Sequence, residues 1–130
     1  MAFIEWELPQ IKGRRKRMAS NEVNLYKTNT YNTITFNQDL TKLFLEKDLL
    51  YLEIRQDDIT GEIGFAISKD KGVKLSETGT GGNTNLRLPN KEWVERLHKV
   101  LGKPIGQRNI IRLSENLSRK EDVLFYKIIG

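Results

Sequence analysis

The chain has 130 residues, 38% hydrophobic and 30% charged, with a net charge of +5, a pI near 9.5 and no cysteine. That length makes one domain with room for a core, and the missing cysteines exclude disulfides and thiolate-bound metals and fit a reducing compartment. No apolar run approaches the ~20 residues of a membrane-spanning helix, and MAFIEWELPQ carries two acids and a proline where a secretory signal has a positive start and an unbroken apolar stretch, so a soluble cytoplasmic protein without membrane contact is expected.

Residues 1–22 read as a basic arm ahead of a single α+β domain over 23–130. Lys12, Arg14, Arg15, Lys16 and Arg17 fall within six residues, and no apolar side chain between Ile11 and Met18 ties them to a core. Such a run can grip a polyanion, solubilise the chain or serve as an address. From Gln38 to Glu62 seven acids face three bases, whereas from Leu86 to Lys127 ten bases face five acids. Charge segregated in this way favours a basic face over uniform solubilisation.

Short segments of β character follow the arm. VNLYK (23–27) and TITFN (33–37) alternate apolar and polar residues. QDLTKLFLEKD spaces Leu40, Leu43 and Phe44 for one side of a short helix. LLYLEIR (49–55) puts Leu50, Leu52 and Ile54 on one face and Tyr51, Glu53 and Arg55 on the other. The turn QDDITGE then leads into EIGFAIS, and this pair is the best hairpin in the chain. SETGTGGNTN (76–85) reads as a mobile loop. In LRLPNKEWVERLHKVLG, Asn90 is a natural N-cap, Gly102 a natural stop, and Trp93, Val94, Leu97, Val100 and Leu101 recur at helical spacing. RNIIRLS and DVLFYKI read as strands. The expected architecture is α+β, dominated by an antiparallel sheet, with one main helix at about 90–101.

The sequence also echoes itself. NTITFNQDL (32–40) lies over NIIRLSENL (109–117), and DLLYLEI (48–54) over DVLFYKI (122–128). Two copies paired about a pseudo-twofold, or two ordinary β–turn–β units, both fit this pattern.

Nothing in the sequence carries catalysis. His98 is the lone histidine and has no cysteine or triad partner, so it reads as a half-exposed helix residue. Asp57, Asp58 and Glu62 lack the spacing of a calcium loop and read as a solvated turn. TGTGGNT has no lysine and no immediately following helix, as a phosphate loop requires. A non-enzyme without cofactor or metal is expected.

Binding is better served. Single-stranded nucleic acid needs cations for phosphates and aromatic faces for unpaired bases. Tyr51 and Arg55 point away from the expected core. Tyr26, Lys27 and Tyr31 flank the first strand, Lys69, Lys71 and Lys74 follow the hairpin, and Arg87 precedes the helix. With Lys12, Arg14, Arg15, Lys16 and Arg17 these form the candidate nucleic-acid-binding set.

The order of parts over about residues 20–101, ending in LRLPNKEWVERLHKVL, resembles the single-stranded DNA-binding family of positive cofactor 4 and its Whirly relatives. ITFNQDLTKLFLEKDLLYLEI followed by GEIGFAI also resembles short phage and bacterial members of that class. The resemblance implies a curved four-stranded antiparallel sheet, a helix that builds a homodimer, and binding of single-stranded DNA without sequence specificity by the sheet face and basic loops. QDLTKLF and the tail from Arg108 to Ile128 depart from that pattern. NTITFNQDL with KDLLYLEI also resembles the swapped-hairpin AbrB-type unit, which implies a duplex-binding regulator. A third expectation is a phage-type accessory or assembly protein whose exposed strand edges hold a protein partner.

Overall fold

A computed structural model describes residues 21–28, 30, 32–79 and 84–130. In chain order the elements are β1 (Glu22–Lys27), β2 (Asn32–Phe36), α1 (Gln38–Lys47), β3 (Tyr51–Gln56), β4 (Ile63–Ser68), β5 (Val73–Lys74), β6 (Ser76–Thr78), β7 (Asn85–Leu88), α2 (Lys91–Leu101), β8 (Asn109–Arg112) and β9 (Leu124–Lys127). The α+β expectation holds. The strands form two antiparallel sheets, one of five strands in the order β6-β7-β2-β1-β8 and one of four in the order β5-β3-β4-β9.

Strict alternation builds both sheets. Val23, Leu25, Ile34, Phe36, Leu86, Leu88 and Ile111 of the five-stranded sheet are buried, and so are Leu52, Ile63, Phe65, Ile67, Leu124 and Tyr126 of the four-stranded sheet. Successive side chains on a strand point to opposite faces, so these residues meet in one core. Aromatic rings tie it together. Phe36 packs edge-on against Phe44 at 5.2 Å between centroids and against Phe65 at 6.1 Å, and Tyr126 lies 6.3 Å from Phe44.

Both seams between the sheets are bridged. At one, only Leu75 separates β5 from β6, and its N–H donates to the Leu50 carbonyl at 2.7 Å, so a single run of chain passes from one sheet into the other. At the other, Leu113 forms a bridge with Ile128, the Ser114 N–H donates to the Lys127 carbonyl at 2.8 Å, and the Ile129 N–H donates to the Arg112 carbonyl at 2.8 Å. The result is a closed antiparallel barrel in which a pairing edge at each seam is occupied by the other sheet.

The helices lie at opposite ends of this barrel. α1 follows the end of β2. The Asn37 side chain caps it by accepting from the Leu40 N–H, and Asp48 ends it in the left-handed region at φ 54°. Its buried Phe44 and Leu40 plug the core, and the Thr41 hydroxyl accepts from the Leu86 N–H at 2.9 Å. α2 follows β7 at the other end. Asn90 accepts from the Trp93 N–H at 3.0 Å, and Gly102 stops the helix at φ 64°, as the sequence predicts. Val94, Leu97 and His98 face inward.

Several expectations are corrected here. The one main helix becomes two of nearly equal length, ten and eleven residues, because both carry an Asn N-cap and a left-handed C-cap. The four-stranded meander implied by the resemblance is not the arrangement found: α1 separates β2 from β3, and these strands belong to different sheets. The expected loop at 76–85 is in part a hairpin, with Ser76 opposite Arg87 and Thr78 opposite Asn85. Two residues assigned to the arm belong to the domain. Asn21 exchanges hydrogen bonds with Leu113, and Glu22 pairs with Arg112.

The echo does not become a pseudo-twofold. After β2 the chain forms α1 and crosses the barrel end to β3. After β8 it stays extended beside β9, where Leu117 donates to the Phe125 carbonyl at 2.8 Å and Asn116 accepts from the Phe125 N–H. The two segments are β–connection–β units of different kinds.

Candidate nucleic-acid interface

On the outside of the five-stranded sheet, alternation leaves the residues that the core does not take. Because antiparallel partners share a face, the register Ser76–Arg87–Thr35–Asn24–Ile110 is one continuous row across all five strands. Glu22 and Arg112 lie opposite each other in the row on one side, and Tyr26 and Thr33 in the row on the other. Thr33 and Thr35 share a hydrogen bond of 3.0 Å. Arg108 reaches over Tyr26, its guanidinium carbon 5.7 Å from the ring centroid. This is cation–π geometry, in which a cation sits within about 6 Å of the ring.

This wall has an unusual balance. Arg87, Arg108 and Arg112 form no ion pair among the described residues. Three polar atoms of its central row, Asn24 Oδ1, Ser76 Oγ and Arg87 Nε, are buried with no hydrogen-bond partner among the described residues. Leaving such an atom unpaired costs roughly 1–3 kcal/mol. Ile110, 43% exposed, adds an apolar surface at the end of the row.

The outer wall of the four-stranded sheet is arranged differently. Arg55 pairs with Glu53 on its own strand, and Lys127 pairs with Glu62 at 3.1 Å. Tyr51 lies half-buried opposite Lys74, and Lys69 and Lys71 are exposed in the turn between β4 and β5. That turn depends on Gly72. Its φ is +106°, and a Cβ there would collide with the Leu52 carbonyl. Phe125 covers the outside of β4 at Gly64, and all six residues of that strand are buried.

The predicted binding residues therefore divide. Tyr26 and Arg87 share the five-stranded wall. Tyr51, Arg55, Lys69, Lys71 and Lys74 belong to the other wall, with Lys74 at the seam, two residues from Ser76. A single face carrying the whole set is not what the fold builds, because the hairpin of β3 and β4 lies in a different sheet from β1. Lys27 faces inward at the α2 end, where its ammonium donates to Asn32 at 2.8 Å and pairs with Glu95 at 3.0 Å. Its side chain is only 14% exposed, so it is a structural tie rather than a phosphate contact. The hydrogen bond from Lys27 also holds the Glu95 carboxyl below its ordinary pKa. Lys12, Arg14, Arg15, Lys16, Arg17 and Tyr31 lie outside the described residues.

Arg108, Arg112, Asn24 and Ser76 were missed. The signal was present for two of them: Arg108, Ile110 and Arg112 alternate with Asn109 and Ile111, and strand periodicity puts all three on one side. The unpartnered atoms of Asn24 and Ser76 have no such signature, because their state follows from neighbours on other strands.

Other titratable groups serve the fold. Asp57 caps its turn by accepting from the Ile59 and Thr60 N–H groups at 2.8 and 3.0 Å. These bonds, Thr60 foremost, hold its carboxyl below the usual value, in keeping with the solvated-turn reading. His98 is 3% exposed, not half-exposed as expected, since it lies one turn after Val94 on the inward side of α2. Its Nδ1 is 3.2 Å from the Lys103 carbonyl. Burial pushes the Tyr126 hydroxyl up to about 12, which marks this ring as core rather than as a stacking platform.

Among the described residues no helix is long and apolar enough to cross a membrane. No family model matches the chain, and no curated protein or solved structure matches it either.

Proposed function

We propose that the chain binds single-stranded nucleic acid, preferably DNA, without sequence specificity, on the outer wall of the five-stranded sheet. The observation that carries this reading is the run of Arg87, Arg108 and Arg112, without ion pairs among the described residues, on the same continuous face as Tyr26. The arginines meet phosphates and Tyr26 offers a stacking ring. No base-reading geometry is required, which suits binding without sequence preference. The run Lys12–Arg17, joined to the domain at Asn21 beside this same sheet, adds phosphate contacts.

The competing readings draw less support. Recruitment of a protein strand needs a free pairing edge, and bridging of both seams leaves only short stretches, such as Glu53–Gln56 of β3, without a strand on the other side among the described residues. Duplex binding by two paired halves needs the echo segments to be alike, and they take different paths.

The test is electrophoretic mobility of single-stranded and duplex oligonucleotides with the full chain at a series of salt concentrations. For single strands the logarithmic slope is about −0.7 for each phosphate neutralised, so the three arginines alone give about −2 and the basic run brings it towards about −6. A salt-independent shift, or no shift with either nucleic acid, rejects the proposal.

A further inference from the structure

At one corner of the five-stranded wall, Arg108 and Tyr26 stand one register step beyond the paired ends of β8 and β1. Leu25 lies opposite Asn109, so Tyr26 comes opposite Arg108, and antiparallel partners share a face. The segment that carries Arg108 is fastened to β1 on both sides of the tyrosine. The buried Asn109 side chain donates to the carbonyls of Leu25 at 3.4 Å, Pro104 at 2.9 Å and Gln107 at 3.1 Å. The Gly106 N–H donates to the Lys27 carbonyl at 2.8 Å, with Gly106 at φ +89°, a conformation that suits glycine. The backbone next to Arg108 is therefore held against the strand that bears the ring.

The Arg108 side chain is not held in this way. It is exposed, and it makes no hydrogen bond or ion pair among the described residues. Its guanidinium carbon lies 5.7 Å from the Tyr26 centroid. Two flat groups in contact lie about 3.5–4.0 Å apart, so a third group between them needs about twice that separation. A change of side-chain rotamer at Arg108 is enough to open the gap. Beside the pair stands Ile110, two residues along the same face of β8 and 43% exposed, which gives the gap an apolar side.

We propose that Tyr26 and Arg108 form a nucleobase subsite, in which one unpaired base enters between the phenol ring and the guanidinium with Ile110 along its edge. This rests on the reading that the wall binds single-stranded nucleic acid and says where a base of that strand is held. A base has two π faces, so it stacks on the ring with one and meets the cation with the other. The guanidinium is planar and carries its N–H groups in that plane, so its face covers the base while its edge holds the neighbouring phosphate. A phosphate alone would use the edge and leave the ring idle. Arg87 and Arg112 have no aromatic residue opposite them, only Thr35 and Ser76 for the first and Glu22 for the second, so this role belongs to Arg108.

The test uses the full chain and two oligomers of equal length and charge, oligothymidylate and an abasic deoxyribose-phosphate chain. Fluorescence anisotropy should show a preference of about fifteenfold for the oligomer with bases, within the range that stacking supplies. Arg108→Lys keeps the charge but replaces the plane by a point cation. The preference should then fall to about fivefold, the share of the ring alone, while the salt slope on either oligomer stays the same. Arg108→Ala should lower the preference likewise and also reduce the slope by about 0.7, the share of one phosphate. A Lys variant that keeps the full preference overturns the proposal. So does an Ala variant that changes the slope alone, because Arg108 then meets only phosphate. Equal affinity of the unaltered chain for both oligomers overturns the subsite and leaves nucleic-acid binding standing, whereas binding to neither oligomer overturns both.

Discussion

The two outer walls of the barrel come from the same alternation of inward and outward side chains, yet Arg55 and Lys127 on one are paired with acids and the arginines on the other are not. On the four-stranded wall Arg55 is matched by Glu53, Lys127 by Glu62, and Gly64 is roofed by Phe125, while Lys69, Lys71 and Lys74 at its edge are exposed without an acid partner among the described residues. On the five-stranded wall Arg87, Arg108 and Arg112 have no acid partner among the described residues, and three buried polar atoms find no hydrogen bond there. A wall that satisfies its own charges gains little from a ligand, since every new contact must first displace an old one. An exposed arginine without an acid partner, such as Arg108 or Arg112, has no contact to give up first. The comparison supports the proposal that binding falls on the five-stranded wall.

The sharpest way to break that assignment is to remove equal charge from both walls. Replacing Arg87, Arg108 and Arg112 by alanine should weaken single-strand binding on the order of a hundredfold, or about 3 kcal/mol. Replacing Lys69, Lys71 and Lys74 by alanine lowers the net charge by the same three units and should cost less than about fivefold, the share due to the long-range field. Fluorescence anisotropy with a labelled oligonucleotide separates the two. Equal losses would mean that net charge, not the wall, does the binding.

The converse test strikes the structural wall. Gly72→Ala forces a side chain into the left-handed region and against the Leu52 carbonyl. It should lower unfolding stability by about 2 kcal/mol in denaturant titration while leaving the affinity of the folded fraction unchanged. A loss of affinity larger than the loss of folded protein would show that the β4–β5 turn belongs to the binding surface.

How far this contrast could be read in advance depends on the range of each interaction. Local patterns sufficed for the α2 caps at Asn90 and Gly102 and for the hairpin of β3 and β4. They also sufficed for the inward set Val23, Leu25, Ile34 and Phe36. What the pattern could not supply was which strands become neighbours. Tyr26 and Tyr51 look alike in sequence, each on the polar side of a strand, but β1 and β3 enter different sheets. The echo shows the same limit. Asn37 and Ser114 occupy matching places. After Asn37 come Leu40, Leu43 and Phe44, which give a helix an apolar side to bury. Leu117 instead is followed by Ser118, Arg119, Lys120 and Glu121, which give it none. Leu117 stays 44% exposed and Ser114 bonds to the Lys127 N–H instead of capping a helix. Closure of the barrel, which joins Leu75 to Leu50 and Leu113 to Ile128, rests wholly on such distant pairings.

The finest version of the comparison sets ring against ring. Tyr26 stands on the unmatched wall with Arg108 over it, and Tyr51 on the matched wall opposite Lys74. Stacking of a base on an aromatic ring is worth about 1–3 kcal/mol by alanine substitution. The guanidinium already in contact with Tyr26 offsets part of that gain, so the lower end applies. Tyr26→Ala should therefore weaken binding of a single strand about fivefold and of a duplex hardly at all, because paired bases present no free face to the ring. Tyr51→Ala should change either by less than about twofold. Comparing both variants on matched single-stranded and duplex oligonucleotides decides between the walls. A larger loss from Tyr51→Ala would move the binding surface to the four-stranded sheet despite its paired charges, whereas equal losses on duplex and single strand would remove stacking from the account and leave the arginines alone to explain affinity.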